Sequence, residues 1–267
     1  MPSAQAGDVR MNYEERGRGP NLLLLVHGYT ACWQWWSLVL ERLDPARYHV
    51  YAPDLRGAGG SDRPPSGYNI EQYAEDVFQF CRALDLKGFV YVGHSMGGLT
   101  GIQFALSHKE LLRGLVLVDP ASPDPVDLPA DQRQVLETVT SQFTTNRDVA
   151  RMWYQLAILR PIDQRLNETL LDLGMSVSPA HALDSMAAIL ATDLSARLGQ
   201  ISTPALLMGG DKDVIVPLQS MLATQGRIPN CGLQVFHRVG HSAPLEVPEA
   251  FTGVLTDFVE NELPAPG

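Results

Sequence analysis

Cysteine is scarce in this chain. Its 267 residues hold three, Cys32, Cys81 and Cys231, too few and too scattered for a disulfide framework and without a Cys-x-x-Cys pair to grip a metal. They read as free thiols, Cys81 and Cys231 as core filling and Cys32 close to the residues singled out below. Positive charge is scarce as well: 20 Lys and Arg face 30 Asp and Glu, a formal charge of -10. With no basic run among them, this argues against a nucleic-acid backbone or an anionic membrane as partner. Long apolar runs are missing too. Leu22 to Val26, a typical one, is far too short to cross a bilayer, and Met1 to Arg10 lacks the basic-then-apolar order of a secretory signal. The expectation is a soluble, cytoplasmic protein.

What is present suits a globular fold. Apolar residues make up 45% and charged residues 19% of the chain, enough to bury one large core, and the length fits one domain carrying a sizeable insertion. Ala4 to Glu15, with Gly7-Asp8 in its middle, reads as a hairpin. Leu22 to Val26, Tyr48 to Ala52, Phe89 to Val92, Leu115 to Val118, Ala205 to Met208 and Leu233 to Phe236 are short apolar runs, as in strands buried on both faces of a parallel sheet. Helical periodicity fills the gaps at Trp36 to Leu43, Ile70 to Leu84, Gly97 to Ser107, Pro217 to Gln225 and Pro248 to Asn261. Strand and helix in alternation mean an α/β fold with right-handed crossovers. Residues 123–198 break the rhythm with four helical stretches, Asp131 to Thr145, Asp148 to Leu159, Asp163 to Leu173 and Pro179 to Ala191, and no strand. This segment is read as an all-helical cap, leaving 1–122 and 199–267 as the core.

The chemistry concentrates at the ends of the strands. Gly93-His94-Ser95-Met96-Gly97 follows one strand and opens a helix, and a serine at so sharp a turn needs glycine two places before and after it. A hydroxyl is a poor nucleophile at neutral pH, so it requires a base, and the base requires a carboxylate to fix its tautomer. His241, in the Gly240-containing loop after the last strand, is the candidate base. Asp213, in Gly210-Asp211-Lys212-Asp213 after Ala205 to Met208, is the candidate acid, with Asp119 after Leu115 to Val118 as the rival and Asp211 as a turn former. His94 is assigned packing or hydrogen bonding, and His27, His49, His108, His181 and His237 have no legible partner. His237 and His241, four apart, straddle a strand end and are not read as metal ligands. The backbone N–H groups of Met96 and Tyr29 are the candidate oxyanion donors. Trp33, Trp153 and Tyr154 are the candidate substrate contacts, with the Tyr29 side chain as a further one.

Taken together these residues resemble the α/β-hydrolase superfamily along the whole chain. His27-Gly28-Tyr29 is similar to its oxyanion loop, Asp54-Leu55-Arg56-Gly57-x-Gly59-x-Ser61 to the turn after its next strand, and Gly93 to Gly97 to its nucleophile elbow. Gly210-x-x-Asp213-x-x-x-Pro217 and Gly240-His241 complete the match. The resemblance implies an eight-stranded, mostly parallel sheet flanked by helices, and structural roles for Asp54, Arg56 and Ser61. Ser95 argues against the haloalkane dehalogenase and epoxide hydrolase branches, which place Asp at the elbow. The expected activity is hydrolysis of a small or medium ester or lactone through an acyl-enzyme on Ser95, needing no metal or organic cofactor. The alternatives are a C–C bond hydrolase, with Arg147, Arg151, Arg160 and Arg165 as possible anchors for a charged substrate, a cofactor-free perhydrolase, or a ligand receptor retaining the fold.

Overall fold

The computed structural model describes residues 1–266. Eight strands form one sheet in the order β1-β2-β4-β3-β5-β6-β7-β8. The hairpin comes first: β1 (Ser3–Ala6) turns at Gly7, whose φ is +61°, and pairs antiparallel with β2 (Val9–Gly17) in a register that sets Ala6 opposite Val9. The next strands, β3 (Asn21–Val26), β4 (Tyr48–Pro53), β5 (Phe89–His94), β6 (Leu112–Val118), β7 (Ala205–Gly210) and β8 (Cys231–Phe236), run parallel to one another. Their carboxyl ends therefore share one edge, where an open α/β sheet places its ligands.

Apolar runs without alternation follow from burial on both faces. Leu24, Val26, Tyr91, Leu117 and Leu207 point into one core, and Leu23, Leu25, Val92, Val118 and Met208 into the other. Removing any one of these side chains back to alanine takes away a contact set of about 2–5 kcal/mol. Among the described residues the α-helices, in chain order, are α1 (Ser37–Leu40), α2 (Ile70–Ala83), α3 (Met96–Ser107), α4 (Ala130–Gln142), α5 (Arg147–Ala157), α6 (Gln164–Met175), α7 (Pro179–Ala191), α8 (Leu218–Gln225), α9 (Ala243–Glu246) and α10 (Pro248–Asp257). The first core takes α2, α3 and part of α8, and the second takes α1 and α10. Among the described residues no helix is long and apolar enough to cross a membrane.

Between β6 and β7 the chain forms only helices, α4 to α7 and a short 3-10 turn, in close agreement with the four stretches expected there. Their starts are written locally. Asn146 caps α5, the Asp163 carboxylate accepts from Leu166 N at 2.9 Å to cap α6, and Ser178 Oγ accepts from His181 N at 3.0 Å just before Pro179. One expected helix is corrected. Trp36 to Leu43 is not continuous, because Trp33–Trp36 winds as a 3-10 turn and only Ser37–Leu40 is α-helical.

The turn after β4 is held from beneath. Arg56 and Asp76 form a buried ion pair, with Nη2 donating to Oδ1 at 2.6 Å, and Asp54 Oδ2 accepts from Asn12 Nδ2 at 2.8 Å and from Gly60 N at 2.9 Å. Asp54 Oδ1 also accepts from Trp33 N at 2.8 Å, and Ser61 Oγ donates to Asp54 O at 2.7 Å.

Candidate active site

The elbow is shaped by the absence of side chains around it. Ser95 sits at φ +53°, ψ -115°, between the last residue of β5 and the first of α3, in a region that L-residues reach only when the surroundings impose it. A Cβ on Gly93 would lie 2.2 Å from Gly97 O, and one on Gly97 would lie 2.4 Å from Val26 O, so neither position admits another residue without moving backbone. Ser95 N donates to Val118 O at 2.9 Å, while Ser95 O accepts from Leu99 N at 3.0 Å and Ala121 N at 3.0 Å. The main chain is thus fixed from three sides while Oγ borders a cavity of about 460 Å³.

His241 and Asp213 arrive on neighbouring strand ends. His241 Nδ1 and Asp213 Oδ2 are 2.6 Å apart, and Asp213 Oδ1 accepts from Ile215 N at 2.8 Å and Val216 N at 2.9 Å. With Nδ1 committed to the carboxylate, Nε2 is the ring nitrogen left to act, and His241 and Ser95 line the same cavity. No hydrogen bond joins Ser95 Oγ to the imidazole among the described residues; the two share the cavity wall. Burial favours the neutral imidazole, but the Asp213 charge and hydrogen bond, with Asp119 and Glu246 adding to them, hold the His241 pKa above its ordinary value.

Asp119, the rival acid, lies in the same cluster, with one donor atom from each of Asp119, Asp213 and His241 within 4.8 Å of the others. It does not bond the ring. Asp119 Oδ1 accepts from Gly210 N at 2.9 Å, and Oδ2 is buried without a partner. Burial pushes this carboxyl up to about 8, against the pull of His241. This cluster is also the one group among the described residues spaced to hold a metal ion. Two of its donors, His241 Nδ1 and Asp213 Oδ2, are already bonded to each other.

The oxyanion candidates flank the serine. Met96 opens α3, so its N–H has no helical partner, and Tyr29 N is likewise unbonded among the described residues. Gly28 brings the Tyr29 loop against the elbow: a Cβ there would lie 3.1 Å from Ser95 Cβ. The Tyr29 ring lines the cavity and its hydroxyl donates to Ala182 O of α7 at 2.8 Å.

Most of the expected wall is where it was placed. Trp153 and Tyr154 of α5 line the cavity. Trp33 does not. It packs against the second core beside α1, and Trp35 takes the position on the wall. The 3-10 turn explains the change, because three residues per turn re-phase the tryptophans relative to an α-helix. The wall also includes Val214, Ile215, Val216 and Pro217, which sequence reasoning passed over although an apolar run directly after a candidate acid was a visible signal.

The histidines without legible partners have them. His27 Nε2 accepts from Leu55 N at 2.9 Å, His237 Nδ1 meets Asp211 Oδ2 at 2.8 Å, and His181 Nδ1 meets Tyr73 Oη at 2.9 Å. His94 packs on Trp35 and brings Nε2 within 2.7 Å of His241 O, and burial holds its pKa well below the usual value. None of Arg147, Arg151, Arg160 and Arg165 reaches the cavity wall. Arg147 pairs with Glu168 and Asp172, Arg151 with Asp148 and Glu168, and Arg160 donates to Arg238 O and His237 O.

A nucleophile elbow beside a His–Asp pair, at the carboxyl edge of a mostly parallel sheet, is the arrangement of a serine-dependent hydrolase. A family model described as the alpha/beta hydrolase fold matches residues 21–151, and the chain belongs to the α/β-hydrolase superfamily. It is 30% identical over 265 residues to a Caulobacter vibrioides protein provisionally named carbamate hydrolase RutD, covering 94% of this chain and 95% of that one. It is 26% identical to a 2-hydroxy-6-oxononadienedioate/2-hydroxy-6-oxononatrienedioate hydrolase of Paraburkholderia xenovorans, covering 95% and 91% of the two chains. Among solved structures, the esterase EaEST from Exiguobacterium antarcticum superposes with a TM-score of 0.91 at 25% identity, covering 97% of this chain and 99% of that one. The protein is a hydrolase. Its relatives are named for carbamate, C–C and ester bonds.

Proposed function

We propose that the protein hydrolyses small to medium carboxylic esters, lactones among them, through an acyl-enzyme on Ser95. In this reading the substrate enters between the sheet edge and the helical insertion, which acts as a cap. His241 takes the Ser95 proton as Oγ adds to the carbonyl carbon, and Asp213 steadies the imidazolium. The N–H groups of Met96 and Tyr29 receive the oxyanion. The tetrahedral adduct then expels the alcohol, protonated by His241, and water activated by the same imidazole releases the acid. Each step moves a proton between oxygen and nitrogen and leaves no electron unaccounted for, so the reading calls for no cofactor.

The observation that carries the choice of ester is the chemistry of the cavity wall. It is built from Trp35, Trp153, Leu136, Met186, Ile189, Val216 and similar side chains, with no Arg or Lys among them. A C–C hydrolase must hold a dienolate and its carboxylate, which a wall without cations leaves uncompensated. Of the arginines that would have supplied them, Arg147, Arg151 and Arg160 are engaged elsewhere, and Arg165 is not part of the wall. A neutral ester or lactone asks only for apolar contact and the oxyanion donors.

The test is a panel of nitrophenyl esters, lactones, an aryl carbamate and a vinylogous diketone presented to the purified protein and to Ser95→Ala. Ester or lactone turnover that falls by about 10⁶-fold in the variant, with unchanged circular dichroism, is the expected result. Turnover of the diketone or carbamate alone, or full ester activity in Ser95→Ala, overturns the reading.

A further inference from the structure

A second cavity, of about 470 Å³, lies between α4, α7 and residues 125–127. Four of its wall residues, Val126, Leu136, Met186 and Leu190, are also wall residues of the cavity at Ser95. The two spaces are therefore back to back, separated by a partition of apolar side chains, of which Leu136, Met186 and Leu190 are half-buried and Val126 is exposed. Unbranched Met and mobile Leu side chains are the kind that yield to an inserted chain without disturbing backbone. On the far side the floor continues with Leu183 and Ala187, and Val135 stands exposed beside it on α4. The outer rim bears Asp127, Arg133 and Glu137, with Arg133 bound to Asp127 at 3.1 Å. That leaves no free cation to attract a carboxylate at the chain's end.

We infer that the outer cavity is a second binding subsite, which takes the distal part of an unbranched, uncharged alkyl chain attached to the scissile carbonyl. The inference rests on the ester reading above and gives it a substrate class: esters of medium-length straight-chain acids. The acyl arm, rather than the alcohol, is assigned by position. His241 delivers the proton to the leaving oxygen, so the alcohol lies on the His241 side. That side is bordered by the 211–217 loop and by the end of α5, where Ser242 Oγ donates to Ala157 O at 2.8 Å and a Cβ on Gly240 would lie 3.0 Å from Leu159 Cβ. The outer cavity contains no residue of α5 or of the 211–217 loop. It is bordered by α7, which sits over Tyr29 through the Tyr29 hydroxyl bond to Ala182 O. A chain running that way leaves the carbonyl on the oxyanion side, opposite the departing alcohol.

Straight-chain nitrophenyl esters from acetate upward are the probe, compared between wild type and Ala187→Trp. Ala187 lines the outer cavity and not the one at Ser95, and a tryptophan there fills the outer space from the far side of the partition. In the wild type kcat/KM is expected to climb by about fourfold per methylene once the chain passes the partition, then level off. In Ala187→Trp the climb stops at the partition while acetate and butyrate are cleaved as before. A wild-type rate that falls beyond butyrate, or a climb that Ala187→Trp leaves intact, overturns the subsite. So does a dependence that follows acetate esters of longer alcohols instead. Inactivation of Ser95 by nitrophenyl alkylphosphonates of the same chain lengths separates this claim from the ester reading, since it needs the nucleophile but no ester turnover. Chain-length dependence of inactivation that Ala187→Trp abolishes upholds the subsite even if no ester is cleaved. Ester cleavage without any such dependence upholds the ester reading and removes the subsite.

Discussion

The elbow at Ser95 and helix α4 lie on either side of the same cavity wall and differ in how much freedom the fold leaves them. Around Ser95 every neighbour from Gly93 to Gly101 is buried, and two glycines have backbone oxygen where a Cβ would go. In α4 only Thr140 is buried, and its main packing partners are α5 and α7. Chemistry that needs its donors fixed within fractions of an ångström is built on the first kind of element. Recognition of a substrate body, which tolerates adjustment, is left to the second.

The contrast can be broken from the chemical side first. Asp213→Asn, which keeps the shape but offers His241 the wrong partner, is expected to lower kcat by about 10⁴-fold with the melting temperature nearly unchanged. Asp119→Asn, which retains an acceptor for Gly210 N and alters only an unpartnered oxygen, is expected to lose far less. Steady-state kinetics on the two variants decides which carboxylate serves the imidazole, and a reversed order would reassign the acid.

Stability sharpens the same comparison. Gly97→Ala drives a methyl against Val26 O and is expected to destabilise the fold by about 3 kcal/mol or more, whereas Val135→Lys, at a position 62% exposed on α4, should stay within about 0.5 kcal/mol. Urea denaturation of both reads the difference directly. Equal effects would mean that α4 is held more tightly than its burial implies.

The smallest effect concerns pH. His241 must be neutral to act as a base, and its pKa is raised by Asp213 despite burial. The neutral form, and with it kcat/KM, is therefore lost as pH falls through a value above the ordinary imidazole pKa of about 6.5. In Asp213→Asn the residual activity should show that limb shifted downward. A wild-type limb below the ordinary value would contradict the geometry.

Local signals carried most of what the sequence made legible. Gly7-Asp8 marked the hairpin, Pro217 and Pro248 marked helix starts, and the apolar runs marked strands buried on both faces. The site was readable for the same reason: Ser95, Asp213 and His241 each follow a strand end, and parallel strands bring those ends to one edge. What escaped depended on contacts or on phase. The partner of His181 is Tyr73, 108 positions away, and nothing near either residue announces the other. Trp35 replaced Trp33 on the wall because a tight turn and an α-helix point successive residues in different directions, a choice that composition does not record. The arginines of the insertion were readable as charges, but their commitment to Glu168, Asp172 and backbone oxygens was not.

The hydroxyl of Tyr29 leaves one consequence for how the molecule opens. Its ring is tethered to α7 at Ala182 O, while its own amide is one of the two proposed above to receive the oxyanion. Helix α7 is itself moored to the core through His181, Tyr73 and the carbonyl of Arg56. Any swing of that helix wide enough to admit a bulky guest must either snap the tether or drag the amide off its mark.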